Sequence, residues 1–94
     1  MIKNIAVVLG AGPSAGLGAA LCRRAAKEGY RVVVGGRTLT KIEAISDQIK
    51  EAGGTAIPIK VDVTDEAQVI DLFNEVDAIE GDLDFVSYNA GNSF

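Results

Sequence analysis

The stretch GAGPSAGLG, residues 10–18, can be read in two frames, and the frame decides which glycines face a ligand. From Gly10 the pattern is Gly10-x-Gly12-x-x-Ala15; from Gly12 it is Gly12-x-x-x-Gly16-x-Gly18. In both, glycines at a strand-to-helix turn let phosphate oxygens approach the N–H groups of a helix N-terminus, whose dipole favours anions. Pro13 has no N–H to give, so the donors must come from Ser14 and the residues around it. A glycine loop alone is weak evidence, and the frame is decided by the rest of the chain.

On either side of the loop, short β-branched runs alternate with amphipathic segments, the mark of βαβ units on a parallel sheet. Ile5 to Leu9 is a continuous apolar run, as expected of a strand buried on both faces. A helix is predicted from about Leu17 to Glu28, with Leu17, Leu21 and Ala25 as its core stripe and Gly29 as its stop. Arg31 to Val34 reads as the second strand. Thr40 then opens the second helix, with Glu43 completing a capping box and Ile42, Ile45 and Ile49 as its stripe. Ile57, Ile59 and Val61 alternate through a third strand, which Pro58 places at a sheet edge because a missing N–H is tolerated there. Thr64 or Asp65 caps a third helix whose Val69, Leu72, Phe73, Val76 and Ile79 recur at core spacing. Asp84 to Tyr88 makes the fourth strand. Right-handed crossovers then give the strand order 3-2-1-4, a Rossmann-type doubly wound α/β sheet, with residues 1–94 as a single dinucleotide-binding portion.

Composition excludes several other classes. With 94 residues, 48% of them hydrophobic, and a net charge of −4, the chain describes one globular domain at most. Histidine is absent and Cys22 is the only cysteine, so disulfide frameworks, Cys/His zinc sites and nucleophile pairs with histidine have no residues to use. Cys22 itself reads as a small apolar helix residue. The acidic balance argues against nucleic acid, and no apolar run reaches the ~20 residues of a membrane span. Met1 to Asn4 shows no signal-peptide layout, so a cytoplasmic setting is expected.

Ligands of such sheets bind beyond the C-terminal strand ends, where four unusual segments fall: the glycine loop, Gly35-Gly36-Arg37, Asp62-Val63-Thr64 and Asn89-Ala90-Gly91. The end of strand 2 discriminates best. Flavin, NAD-selective and S-adenosylmethionine sites want a carboxylate there for the ribose hydroxyls. This chain offers Arg37, whose guanidinium can grip a 2′-phosphate and stack beside adenine. The expected coenzyme is therefore NADP, with NAD as the alternative.

Together these residues resemble the short-chain dehydrogenase/reductase family. Its Thr-Gly-x-x-x-Gly-x-Gly motif is similar to Ala11 through Gly18, its Asp-Val-Thr step to Asp62-Val63-Thr64, and its Asn-Asn-Ala-Gly to Tyr88-Asn89-Ala90-Gly91. The resemblance implies that Gly12, Ser14, Ala15, Gly16, Leu17 and Gly18 cradle the coenzyme. It further implies that Asp62 accepts from the adenine amino group, Val63 addresses the ring edge, and Asn89, Ala90 and Gly91 lie against the ribose. Ala11 departs from the family's threonine, Tyr88 from its first asparagine, and Ala15 stands where some NADP-preferring members carry a second basic residue.

The family's catalytic serine and its Tyr-x-x-x-Lys pair are expected beyond Phe94. Tyr30 and Tyr88 are followed four residues later by Val34 and Asn92, so neither has a lysine one turn away, and the chain holds no candidate catalytic residue. The expectation is coenzyme binding for an oxidoreductase that moves hydride between NADP(H) and a small carbonyl or alcohol, with homo-oligomers common in the family. The competing readings are a non-catalytic nucleotide-binding or dimerisation module, and a flavin or S-adenosylmethionine protein. Phe85 to Tyr88 is expected to form an open sheet edge.

Overall fold

The computed structural model describes residues 4–11 and 16–88. Within them strands and helices alternate: β1 (Ile5–Leu9), α1 (Leu17–Lys27), β2 (Arg31–Gly36), α2 (Leu39–Glu51), β3 (Thr55–Lys60), α3 (Glu66–Asp77) and β4 (Leu83–Tyr88). The strands pair in parallel in the order β3-β2-β1-β4, which is the predicted sheet. Pro58 lies in β3, at the edge.

The period-two rule of a strand sorts the core into two layers. Ala6 and Val8 of β1, with Val32 and Val34 of β2, pack against Ala19, Cys22 and Ala25 of α1 and against Ile42, Ile45 and Ile49 of α2. Ile5, Val7, Leu9 and Val33 face the other way, onto Val61 and onto Leu72 and Val76 of α3. Val69, Phe73 and Ile79 pack at the margin of that second layer. β1 and β2 are thus sandwiched between helices on both faces, which is why their sequences are apolar without interruption.

Several expectations are corrected. Leu17 is 66% exposed, and the buried stripe of α1 is Gly18, Ala19, Cys22 and Ala25. The helix is therefore turned so that small side chains meet the sheet, with Leu21 only at the edge of the core. Thr40 does not cap α2, which begins at Leu39. Its N-cap is Thr38, whose backbone carbonyl accepts from Lys41 and Ile42 while its side chain makes no capping bond. Gly35 and Gly36 belong to β2 rather than following it, because the Val61 N–H donates to the Gly36 carbonyl at 2.8 Å and carries the pairing past Val34. Asp65 does cap α3, accepting from the N–H groups of Ala67 (3.0 Å) and Gln68 (3.4 Å).

Candidate functional site

The parallel order brings the end of β2, the end of β3 and the start of α1 to one side of the sheet. β1 stops at Leu9, and Gly10 turns the chain with φ of 82°, a conformation that favours glycine. Ala11 then folds back toward β2, its N–H donating to the Gly35 carbonyl at 2.9 Å. The chain re-enters at Gly16, the N-cap of α1, in extended conformation and with no side-chain cap. No acidic residue lies in the first turn of α1. Its leading N–H groups have no acceptor within the helix, so this end offers donors and a positive dipole with no carboxylate in its own first turn to repel an anion. Leu17 stands exposed there and Gly18 is buried beneath it.

Arg37 follows β2 directly and is exposed. Asp62 lies just past β3 and is held in a tight local network. Its Oδ1 accepts from the Thr64 hydroxyl at 2.7 Å and from the Thr64 N–H at 3.0 Å, while its own N–H donates to Gln68 Oε1 at 2.9 Å. Oδ2 takes no hydrogen bond from a described residue. The Thr64 hydroxyl and then the Thr64 N–H hold the Asp62 carboxyl below its ordinary range; burial opposes them, and the positive charge of Arg37 adds the least. Val63 follows, half-buried against the α3 layer.

Of the residues expected to bind coenzyme, Gly16, Leu17, Gly18, Arg37, Asp62 and Val63 are gathered at this end of the sheet. Gly12, Ser14, Ala15, Asn89, Ala90 and Gly91 lie outside the described residues. Two supports escaped the reading of the sequence: Gln68, which ties the Asp62 N–H to the Asp65 carboxylate through a 3.0 Å bond, and the Ala11 to Gly35 bond. Asp65-x-x-Gln68 is a capping pattern, so the first was visible in principle. The second joins residues far apart in sequence and left no local signal.

Elsewhere the chemistry is quiet. Cys22 is fully buried, and burial pushes its thiol up to about 12, leaving it unreactive. Among the described residues no group of three or more His, Cys, Asp and Glu side chains could hold a metal. No helix among them is long and apolar enough to cross a membrane.

The model of the family described as short chain dehydrogenase matches residues 4–93. The chain belongs to that family. An oxidoreductase of Myxococcus xanthus is 39% identical over 91 residues, 97% of this chain and 35% of its own length. Among solved structures, a hydroxysteroid dehydrogenase from Escherichia coli superposes with a TM-score of 0.88 at 28% identity, covering 95% of this chain and 37% of its own. A metagenomic short-chain oxidoreductase in complex with NADP superposes with a TM-score of 0.81 at 34% identity, over 88% of this chain and 37% of its own. The chain spans about a third of the length of these proteins.

Proposed function

We propose that residues 1–94 form the coenzyme-binding portion of an oxidoreductase that transfers hydride between NADP(H) and a small carbonyl or alcohol. The family membership supports the class of reaction, and the NADP complex of a 34% identical relative supports the coenzyme. The observation that carries the coenzyme choice is Arg37, exposed at the end of β2, where an NAD-selective site wants a carboxylate.

The residues fit a dinucleotide. The uncapped, acid-free N-terminus of α1, from Gly16 to Gly18, suits the pyrophosphate, with Gly12, Ser14 and Ala15 completing the cradle. Arg37 would grip the 2′-phosphate. Asp62, fixed through Oδ1 by Thr64, keeps Oδ2 for the adenine amino group, with Val63 at the ring edge. Asn89, Ala90 and Gly91 would lie along the ribose. Bound NADP(H) supplies or accepts the hydride; the acid that protonates the substrate oxygen belongs to residues beyond these. A cytoplasmic setting and a homo-oligomeric assembly complete the proposal.

A titration of the purified protein with NADPH and NADH tests it. NADPH is expected to bind more tightly, and Arg37→Ala to remove most of the difference. A charge-assisted contact of about 1.5 to 3 kcal/mol corresponds to a loss of roughly tenfold to over a hundredfold in NADPH affinity. Equal affinities in the wild-type protein would overturn the role given to Arg37.

A further inference from the structure

α1 and α2 pack side by side on one face of the sheet, and a cleft of about 350 Å³ opens between their C-terminal halves. Its floor is apolar, formed by Ala26, Ile49, Ala52 and Gly54. Small residues make the space, since a longer side chain at Ala26 or Ala52 would fill it. Gly54 closes the floor from below: a Cβ there would come within 2.8 Å of Ile49 Cγ2 and 3.2 Å of Ala26 Cβ. The turn that carries Gly54 is tied down, the Gly53 N–H donating to the Lys50 carbonyl at 3.0 Å and the Gly54 N–H to the Ile49 carbonyl at 2.9 Å. Both helices run against the strands, so the cleft lies at the N-terminal strand ends, at the opposite end of the sheet from the coenzyme crevice.

The polar side chains of the lining stand at the rim. Arg23 and Lys27, one turn apart on α1, bring two positive charges, and Gln48 faces them from α2, accepting from Arg23 Nη1 at 3.4 Å. No carboxylate lines the cleft. Glu28, next in sequence to Lys27, is held by Arg24 at 3.0 Å outside the lining. The carbonyls of Arg24, Ala25, Ala26, Gln48, Ile49 and Lys50 accept from N–H groups of the turns that follow each helix, so an anion entering the cleft meets none of them bare. Clefts of this size hold an apolar body and a few polar groups that fix its orientation. Here the floor suits a hydrocarbon chain and the rim suits a negative head. We propose that the cleft binds a free single-chain fatty carboxylate, its chain on Ala26, Ile49, Ala52 and Gly54 and its carboxylate beside Lys27 and Arg23. The site stands apart from the coenzyme reading and holds with or without it.

Decanoate, decanol, decyltrimethylammonium and acetate, all below micelle-forming concentrations, are titrated into the purified protein while its backbone amide resonances are followed. Decanoate is expected to bind about threefold more tightly than decanol, and decyltrimethylammonium more weakly than decanol, with shifts centred on Ala26, Gln48 and Ala52 and none from acetate. Lys27→Glu should remove the advantage of decanoate over decanol. Ala52→Leu, at an exposed position, should fill the cleft and weaken both by about tenfold or more, while Ala44→Leu, exposed on α2 outside the lining, leaves them unchanged. Saturating NADPH should leave decanoate binding as it is. Equal affinities for decanoate and decyltrimethylammonium, an unchanged affinity in Ala52→Leu, or displacement of decanoate by NADPH overturns the assignment. So do shifts at these residues with phosphatidylglycerol vesicles or an oligoglutamate peptide but not with decanoate, which would make the cleft a membrane or protein contact. Should Ala52→Leu fail to fold, the comparison of decanoate with decanol in Lys27→Glu decides.

Discussion

β2 and β4 flank β1 on its two sides, both parallel to it, yet their environments are opposite. From Val32 to Gly36, β2 is wholly buried. β4 leaves Leu83, Phe85, Val86 and Tyr88 between 39% and 60% exposed. Its pairing is also less regular, since the register with β1 shifts between Ile5 and Ala6. Both strands carry apolar residues at successive positions, so apolar sequence does not by itself bury a strand. β2 is buried because β1 and β3 flank it and because α1, α2 and α3 cover both its faces. Phe85 pairs with Ala6 on the face of α1, and Val86 pairs with Val7 on the face of α3. β4 therefore has apolar side chains ready for a layer on each side, the pattern of an interior strand of a larger parallel sheet.

The largest effects should separate these two strands. Val33→Asp places an unpaired carboxylate among Val7, Leu9 and Leu72, and should cost several kcal/mol and prevent folding. Val86→Asp, on the other strand and half in water, should leave the protein folded. Urea denaturation followed by circular dichroism distinguishes them, and equal losses would show that β4 is covered in solution.

The contrast also explains what the sequence discloses. Strand identity, parallel order and the Ile42, Ile45, Ile49 stripe were legible because each depends on local period and on the burial of whole segments. The open edge at Phe85 to Tyr88 was legible for a similar reason, as the fourth strand in a 3-2-1-4 order has one neighbour. The rotation of α1 was not, because Leu17 is the most hydrophobic choice locally but Gly18 and Cys22 are the residues that let the helix approach the sheet. The site divides in the same way. Arg37 and Asp62 announce themselves by chemistry at strand ends, while the Gly36 approach to Ala11 depends on a contact between distant residues. Any side chain at Gly36 meets the Ala11 backbone, a contact that no local pattern in the sequence reports.

The helix starts beside these strands give the next smaller effect. α2, entered from β2, begins at Thr38 without a side-chain cap, whereas α3, which leads to β4, begins with the Asp65 carboxylate on two N–H groups. Asp65→Ala should cost about 1 kcal/mol, and Thr38→Ala close to nothing. Chemical denaturation midpoints test the pair. A Thr38 effect as large as that of Asp65 would mean that the Thr38 hydroxyl caps α2 in solution.

The smallest predicted effect concerns the tie between the two regions. Tyr30, at the entrance of β2, donates its hydroxyl to Asp84 Oδ2 at 2.6 Å and meets the Phe85 ring edge-on at a centroid distance of 5.2 Å. The bond to Asp84 is the main cause that raises the Tyr30 phenol above its ordinary value, with slight burial and the charges of Asp84 and Glu28 adding to it. A raised folded-state pKa means that the contribution is fully present below the unfolded value of about 10 and is lost as pH rises through the higher folded value. Stability should therefore fall in that alkaline window, and the part due to this bond should vanish in Tyr30→Phe, which keeps the aromatic contact. Tyr30→Phe should also loosen β4 before β2, seen as faster amide exchange in Asp84 to Tyr88 than in Val32 to Gly35. If exchange rises equally in both strands, the bond braces the whole sheet rather than its exposed edge.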